Sequence, residues 1–289
     1  MIDLITVVFQ AELPLLQIQA RSVDLYISPA NIKTITIVVN DTDDVAKAID
    51  PAWWGQHQDK VEIKCYSRWN YVSRITGWEN QQICKLMAAS ESTAEWSMVV
   101  DAKTWFVKPF VMTDFFDQTD RACTGTVPVM QVFDSSRVFV EQLYQVKLDR
   151  IIGPGGVPFM FHTDTVRNLV ESIDDFIEFF QVHVRYPTLI TEFHLYSGFV
   201  LFQYGSYDEL YNDQAGYAVV NIADWEANLF DQLFDHMKTD KKILTVSVHR
   251  RTYQDLSQDQ IERWVNFLMD KKLICNNSET VKSINTYIK

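Results

Sequence analysis

The run Trp96-Ser-Met-Val-Val100 is short, apolar and rich in β-branched and aromatic residues, and it ends on an acid, Asp101, with Pro109 not far beyond. Such a run reads as a buried strand, and the proline marks a turn or an edge. Asp101 therefore falls where a core strand meets solvent, at its carboxyl end. In open α/β sheets that end is where ligand-binding groups gather. Asp also forms turns readily after strands, so position alone leaves a capping role open.

The same pattern recurs along the chain. Leu4 to Phe9, Lys33 to Val39 and Val61 to Tyr66 read as further strands. A helical spacing runs through Leu15, Ile18, Ser22 and Leu25, and another covers Gly77 to Ser92 with Ile83, Leu86 and Met87 on one face. Strands alternating with helices predict parallel pairing in a doubly wound sheet. Beyond Asp114 the pattern predicts a strand near Arg121 to Val127, a helix from Ser135 to Leu148, a glycine-dense loop at Ile151 to Pro158, and a strand at Val157 to His162. Helices follow at Asp164 to Ile173 and Thr191 to Tyr204. Tyr217 to Asn221 and Ile243 to Val248 read as strands, Asp224 to Met237 and Ser257 to Lys271 as helices.

No linker is rich enough in Gly, Ser or Pro to force a cut, so 289 residues at 47% hydrophobic content predict a single domain over 1–275 with a polar tail over 276–289. A net charge of −12 repels a phosphate backbone, which argues against nucleic-acid partners. No apolar run approaches the length of a membrane span and the amino terminus lacks the form of a signal peptide, so the expectation is a cytoplasmic, soluble protein. The four cysteines are widely spaced and read as reduced structural residues.

Val99-Val-Asp-Ala-Lys-Thr-Trp-Phe-Val-Lys-Pro109 resembles the Asp-x-Asp segment of the GT-A-fold nucleotide-sugar glycosyltransferases, with Lys103 in place of the second Asp. Gly77-Trp-Glu-Asn-Gln-Gln-Ile-Cys-Lys85 and Glu192-Phe-His-Leu-Tyr196 resemble the Trp-x-x-Gln-Gln-x-x-Lys and Glu-x-x-Leu-Tyr patterns of a less characterised bacterial and viral branch. The resemblance implies a GT-A-like (Rossmann-like) α/β fold, a mixed and mostly parallel sheet flanked by helices with a helical C-terminal part. It implies transfer of a sugar from a nucleotide-sugar donor to a glycan or other hydroxyl acceptor. Asp101 and Lys103 then serve the diphosphate or ribose and Glu192 the acceptor as base. Gly155 and Gly156 of the glycine loop, Asp41, Gln82, Lys85, His249 and Arg250 complete the donor site.

In metal-using relatives the acidic pair binds a divalent cation. An ammonium offers only donors and repels that cation. The preferred reading therefore needs no cofactor, with Lys103 as a fixed positive charge beside Lys85 and Lys108. If Mn²⁺ or Mg²⁺ is used instead, Asp101 and His249 are its ligands. Each residue also has a bland reading: an ordinary turn for Gly155 and Gly156, a turn for Asp41, a cap for Glu192, a solvated basic cluster for His249 to Arg251. Trp78 and Trp105 lie beside the motifs and suit sugar stacking, or a core. The alternatives to a transferase are a catalytically inactive nucleotide- or glycan-binding module on the same fold and, less well supported, a nucleotidyltransferase, which lacks here the basic glycine-rich loop after Phe9.

Overall fold

A computed structural model describes residues 1–69, 77–153, 157–214 and 216–274. In its first half β1 (Ile2–Val8) leads to α1 (Leu13–Tyr26), β2 (Ile32–Val39), α2 (Asp43–Lys47), β3 (Val61–Cys65), α3 (Gly77–Ser90), β4 (Trp96–Asp101) and β5 (Thr104–Phe106). The second half holds β6 (Ala122–Cys123), β7 (Thr126–Pro128), α4 (Asp134–Tyr144), β8 (Arg150–Ile152), β9 (Phe159–His162), α5 (Thr163–Glu171), α6 (Phe176–His183) and α7 (Glu192–Tyr204). It closes with β10 (Tyr211–Asn212), β11 (Ala218–Ile222), α8 (Phe230–Thr239), β12 (Ile243–Val248), α9 (Thr252–Asp255) and α10 (Gln258–Asp270).

The central sheet has the order β3-β2-β1-β4-β9. Its first four strands are parallel, and β9 runs antiparallel to β4. All of β1 is buried, as a strand covered on both faces must be, which is why it reads as a continuous apolar run rather than an alternating one. From β1 the chain winds outward to β2 and β3, then returns through α3 to place β4 on the other side of β1. The topological switch point therefore lies between β1 and β4, where Val7 stands opposite Asp101.

A smaller sheet, β11-β12-β5, stands beside the first. Here β11 and β12 are parallel while β5 is antiparallel to β12, with Ser247 opposite Thr104. Only Ala102 and Lys103 separate β4 from β5, so the chain leaves one sheet and enters the other at the Asp101-Ala-Lys103 turn. Purely parallel pairing, the expectation from alternation alone, thus gives way at both margins of the core. The three residues of β5 also lay beyond any pattern long enough to register as a strand.

Each sheet has its own core, and α1 serves both. Its Leu16, Ala20 and Val23 join the larger core, and Leu15 and Ile18 join the smaller one with Trp105, Phe230, Phe234 and Trp264. Trp105 is fully buried and stacks on Trp264 at 5.7 Å, so it belongs to the core and not to a sugar platform; Trp78 is exposed. The helix starts follow local chemistry. Thr191 caps α7 by accepting from the His194 amide, and Ser257 and Gln260 form a capping box on α10. Gly205 ends α7 at φ +76, a conformation that side chains strain to adopt. The short α6 escaped the sequence reading. Cys65, Cys84 and Cys123 are unbridged. The polar tail expected over 276–289 lies outside the described residues, and no helix among those described is long and apolar enough to cross a membrane.

Helix α7 crosses α4 closely at Gly198, where an added Cβ would lie 2.1 Å from Val140 Cγ1 and 3.2 Å from Tyr144 Cδ2. Gly198→Ala is expected to lower stability by about 1–3 kcal/mol through overpacking. Adding Val140→Ala should recover part of that loss, a coupling that denaturant unfolding of the two single variants and the double variant measures.

Candidate functional site

Asp101 ends β4 at the switch point, and its side chain remains 21% exposed. Lys85 on α3 reaches it from one side with Nζ 3.1 Å from Oδ1, and Lys103 from the other with Nζ 2.6 Å from Oδ2. The Lys85 ammonium also donates to Glu192 Oε1 at 3.0 Å. Glu192 is the first residue of α7, so the dipole of that helix favours its negative charge as well. Gln82, one turn before Lys85, accepts from the Glu192 backbone amide at 3.2 Å. The spacing of three that put Gln82 and Lys85 on one helical face thus turns both toward the start of α7.

These contacts make a line of alternating charge, Glu192, Lys85, Asp101, Lys103. Burial by itself would raise the Asp101 carboxyl, but Lys103 and Lys85 outweigh it and hold the group well below the usual carboxylate range. Burial would likewise draw the Lys85 ammonium down, and Asp101 with Glu192 hold it above the ordinary lysine value instead. Glu192 is only 4% exposed and faces Lys85, so the structure gives it an anchoring contact rather than an open approach to an acceptor. The Gln82 side-chain nitrogen is buried with no hydrogen-bond partner among the described residues.

The backbone beneath this line is pinned. Gln19 of α1 donates to the carbonyls of Asp101 at 2.6 Å and Thr104 at 3.3 Å, and accepts from the Thr6 hydroxyl of β1 at 2.8 Å. The Trp105 indole donates to the carbonyls of Leu15 and Ala102. The Asp101-Ala-Lys103 turn is therefore held from beneath at successive residues.

Other expected residues line the same end of the fold. His249 and Arg250 follow β12, and the register of β12 against β5 leads them to the Asp101-Ala-Lys103 turn. The Arg250 guanidinium lies over the Phe9 ring at 5.3 Å, and the His249 amide is bonded to Ile222. Asp41 follows β2, where its carboxylate accepts from the amides of Gln10 and Thr42, a loop-fixing role. Gly153 is bonded to Gly125, while Gly155 and Gly156 fall outside the described residues. Lys108 is not part of the cluster, because its ammonium donates to the carbonyls of Lys241 and Lys242.

Glu12 was not expected. It lies in the short turn after β1, is 8% exposed, and its carboxylate makes no hydrogen bond or ion pair with any described residue. Burial pushes that carboxyl up from its ordinary 4.5 to about 7, against the pull of Lys103, with Asp101 raising it and Arg250 and Lys85 lowering it. The rule that singled out Asp101, an acid at the carboxyl end of a buried strand, finds Glu12 when applied to β1.

The donor set does not fit a divalent cation bound through Asp101. Both of its oxygens already face ammonium groups, and such a cation would have to sit against them. Among the described residues no group of three or more His, Cys, Asp or Glu is arranged to hold a metal.

A family model described as "Family of unknown function (DUF6492)" matches residues 7–274, and the chain belongs to that family. No curated protein matches it by sequence. Among solved structures, the apo form of the bifunctional glycosyltransferase WbbM superposes at a TM-score of 0.50 and 9% identity, over 99% of this chain and 51% of that one. The galactosyltransferase LgtC in complex with donor and acceptor sugar analogues gives 0.48 at 10% identity, covering 98% of this chain and all of the other. Mouse xyloside xylosyltransferase 1 gives 0.39 at 11% identity, over 86% and 98% of the two chains. The likeness to WbbM shows the fold: a GT-A α/β domain with a mostly parallel central sheet.

Lys85→Met leaves Asp101 and Glu192 without their shared cation and is expected to lower stability by roughly 3–5 kcal/mol in denaturant unfolding at pH 7. Glu12 has the opposite signature. Its folded state binds a proton more tightly than the unfolded chain does, so the contribution of Glu12 to stability falls as pH rises from 4.5 through about 7. Glu12→Gln is expected to match wild type near pH 4.5 and to exceed it by roughly 3 kcal/mol above pH 7. A difference that stays flat across that pH range in thermal unfolding would remove the raised carboxyl from the account.

Proposed function

We propose that this member of the family is a glycosyltransferase that takes a nucleotide sugar of the diphosphate type as donor and a glycan or another hydroxyl compound as acceptor. The observation that carries the reading is the Glu192, Lys85, Asp101, Lys103 line at the switch point of a GT-A fold. Such a transfer needs the donor held in place and a departing diphosphate stabilised where it leaves. Lys103, 20% exposed, and the half-buried Arg250 supply positive charge at the mouth of the sheet without a metal ion. Because both groups are fixed before donor arrives, little reorganisation accompanies the build-up of charge on the leaving group.

Glu192 acts in this reading as a positioning residue. Its contact with Lys85 holds that ammonium against Asp101, and Asp101 in turn orients Lys103. Proton transfer from the acceptor, the role expected for Glu192 from sequence, suits a buried and ion-paired carboxylate poorly. The same pairing favours a second reading, a nucleotide- or glycan-binding module that has kept the fold without the chemistry. The two differ in whether a bound nucleotide sugar is consumed.

Thermal shift against nucleoside diphosphates and nucleotide sugars, each with Mn²⁺ and with a chelator, tests the donor site. The expected outcome is selective stabilisation that survives the chelator, together with slow release of nucleoside diphosphate from the bound donor. Lys103→Ala should then reduce kcat/KM by roughly 10²–10³, the loss typical of one charge-stabilising donor. Binding without release favours the module. A shift seen only with Mn²⁺ ends the metal-free reading, and the absence of any shift ends the donor site itself.

A further inference from the structure

A buried carboxyl that bonds to no described residue is free to take a partner from outside the fold. Glu12 makes no hydrogen bond or ion pair with any described residue, although it is 8% exposed. It supports no turn with its side chain, since the local turn is closed by its backbone amide to Phe9. Its environment opposes ionisation, so it weakens the fold at neutral pH rather than stabilising it. Groups that weaken the fold and sit at the carboxyl end of a central strand are characteristic of binding sites.

The charges that face Glu12 narrow what its partner is. From the β4–β5 turn come Asp101 and Lys103, from α3 Lys85, and from the segment after β12 Arg250. In the function proposed above, Lys103 and Arg250 hold the diphosphate of a nucleotide sugar. An anion packed beside a diphosphate repels its oxygens but accepts well from a hydroxyl. In a nucleotide sugar the hydroxyls flank the diphosphate, on the ribose at one side and on the transferred sugar at the other.

Building on that function, we propose that Glu12 is a substrate-contact residue, its carboxyl taking a hydroxyl group that flanks the diphosphate of the bound nucleotide sugar. The contact fixes the donor's position along the sheet edge, and Lys103 and Arg250 hold its charge. Glu12 is then a specificity residue: it selects for a hydroxylated neighbour of the diphosphate and adds little to the binding of an anion that has none.

The test compares wild type with Glu12→Met, similar in length and apolar, and Glu12→Gln, which keeps an accepting oxygen. Titration calorimetry would use uridine and guanosine diphosphates, their 2′,3′-dideoxy analogues, and the corresponding hexose-linked nucleotides. Glu12→Met should bind a nucleotide that carries the contacted hydroxyl roughly 10- to 100-fold more weakly than wild type does, and Glu12→Gln should lose less. If the hydroxyl is on the ribose, the dideoxy analogue binds wild type and Glu12→Met alike. If it is on the sugar, the loss appears only with the hexose-linked nucleotide. Equal affinity of wild type and Glu12→Met for every bound nucleotide overturns the role of Glu12 while leaving the donor site standing. Failure of wild type to bind any of them overturns both. Thermal unfolding at pH 8 checks folding independently, because both substitutions remove a buried charge and should raise the melting temperature.

Discussion

The side-chain amide of Gln19 is the joint on which this molecule turns. Its oxygen is held by Thr6 in β1, and its nitrogen is bonded to the carbonyls of Asp101 and Thr104, the last residue of β4 and the first of β5. One fully buried group thus ties α1 and the middle of the central sheet to the point where the chain crosses into the second sheet. A buried amide without its partners is costly, so this crossing has little freedom to move. The two cores meet along the same helix, with Leu16, Ala20 and Val23 facing one and Leu15 and Ile18 the other. The position of the Asp101-Ala-Lys103 turn is a consequence of that packing.

On this rigid footing stands a set of charges that is nearly neutral within itself. Asp101 and Glu192 are matched by Lys85 and Lys103, and the matching lets ionised groups sit among buried surroundings despite the desolvation they suffer. The overall charge of −12 is therefore a poor guide to this corner of the molecule. Glu12 departs from the pattern: placed in the same field, it has no bonded partner among the described residues and its carboxyl shifts upward through burial. Matched charges hold the architecture, and the unmatched one is the place at which the proposed donor contact falls. Stability and binding thus make opposite demands within a few residues of each other.

Much of this arrangement was legible beforehand. The spacing of Gln82 and Lys85, the acid at the start of α7 and the acid at the end of β4 each followed from periodicity or from where a strand should end, and the structure gathers all of them. Lys108 was misread because a lysine near a motif says nothing about which way its strand edge faces; the ammonium turns to the carbonyls of Lys241 and Lys242. For Trp105, open between sugar stacking and a core from sequence, burial against Trp264 decides for the core. Glu12 went unnoticed because the rule that picked Asp101 at the end of β4 was not carried on to the turn after β1.

The sequence by itself determined the order of the longer elements, the parallel core of the sheet and the strand ends at which polar groups emerge, because hydrophobic periodicity and capping are local and each long element carries its own signal. It also raised, as an expectation, the resemblance of the Val99 to Pro109 segment to the Asp-x-Asp segment of the GT-A family, with Lys103 as its departure. Tertiary structure alone decided that β5 and β9 run antiparallel to their neighbours, that Lys85 bridges Asp101 to Glu192, and that Glu12 is buried beside them. Those outcomes depend on contacts between residues as far apart as Lys85 and Glu192. Electrostatic pairing and burial are properties of distance in space, and distance in space is what a linear pattern does not contain.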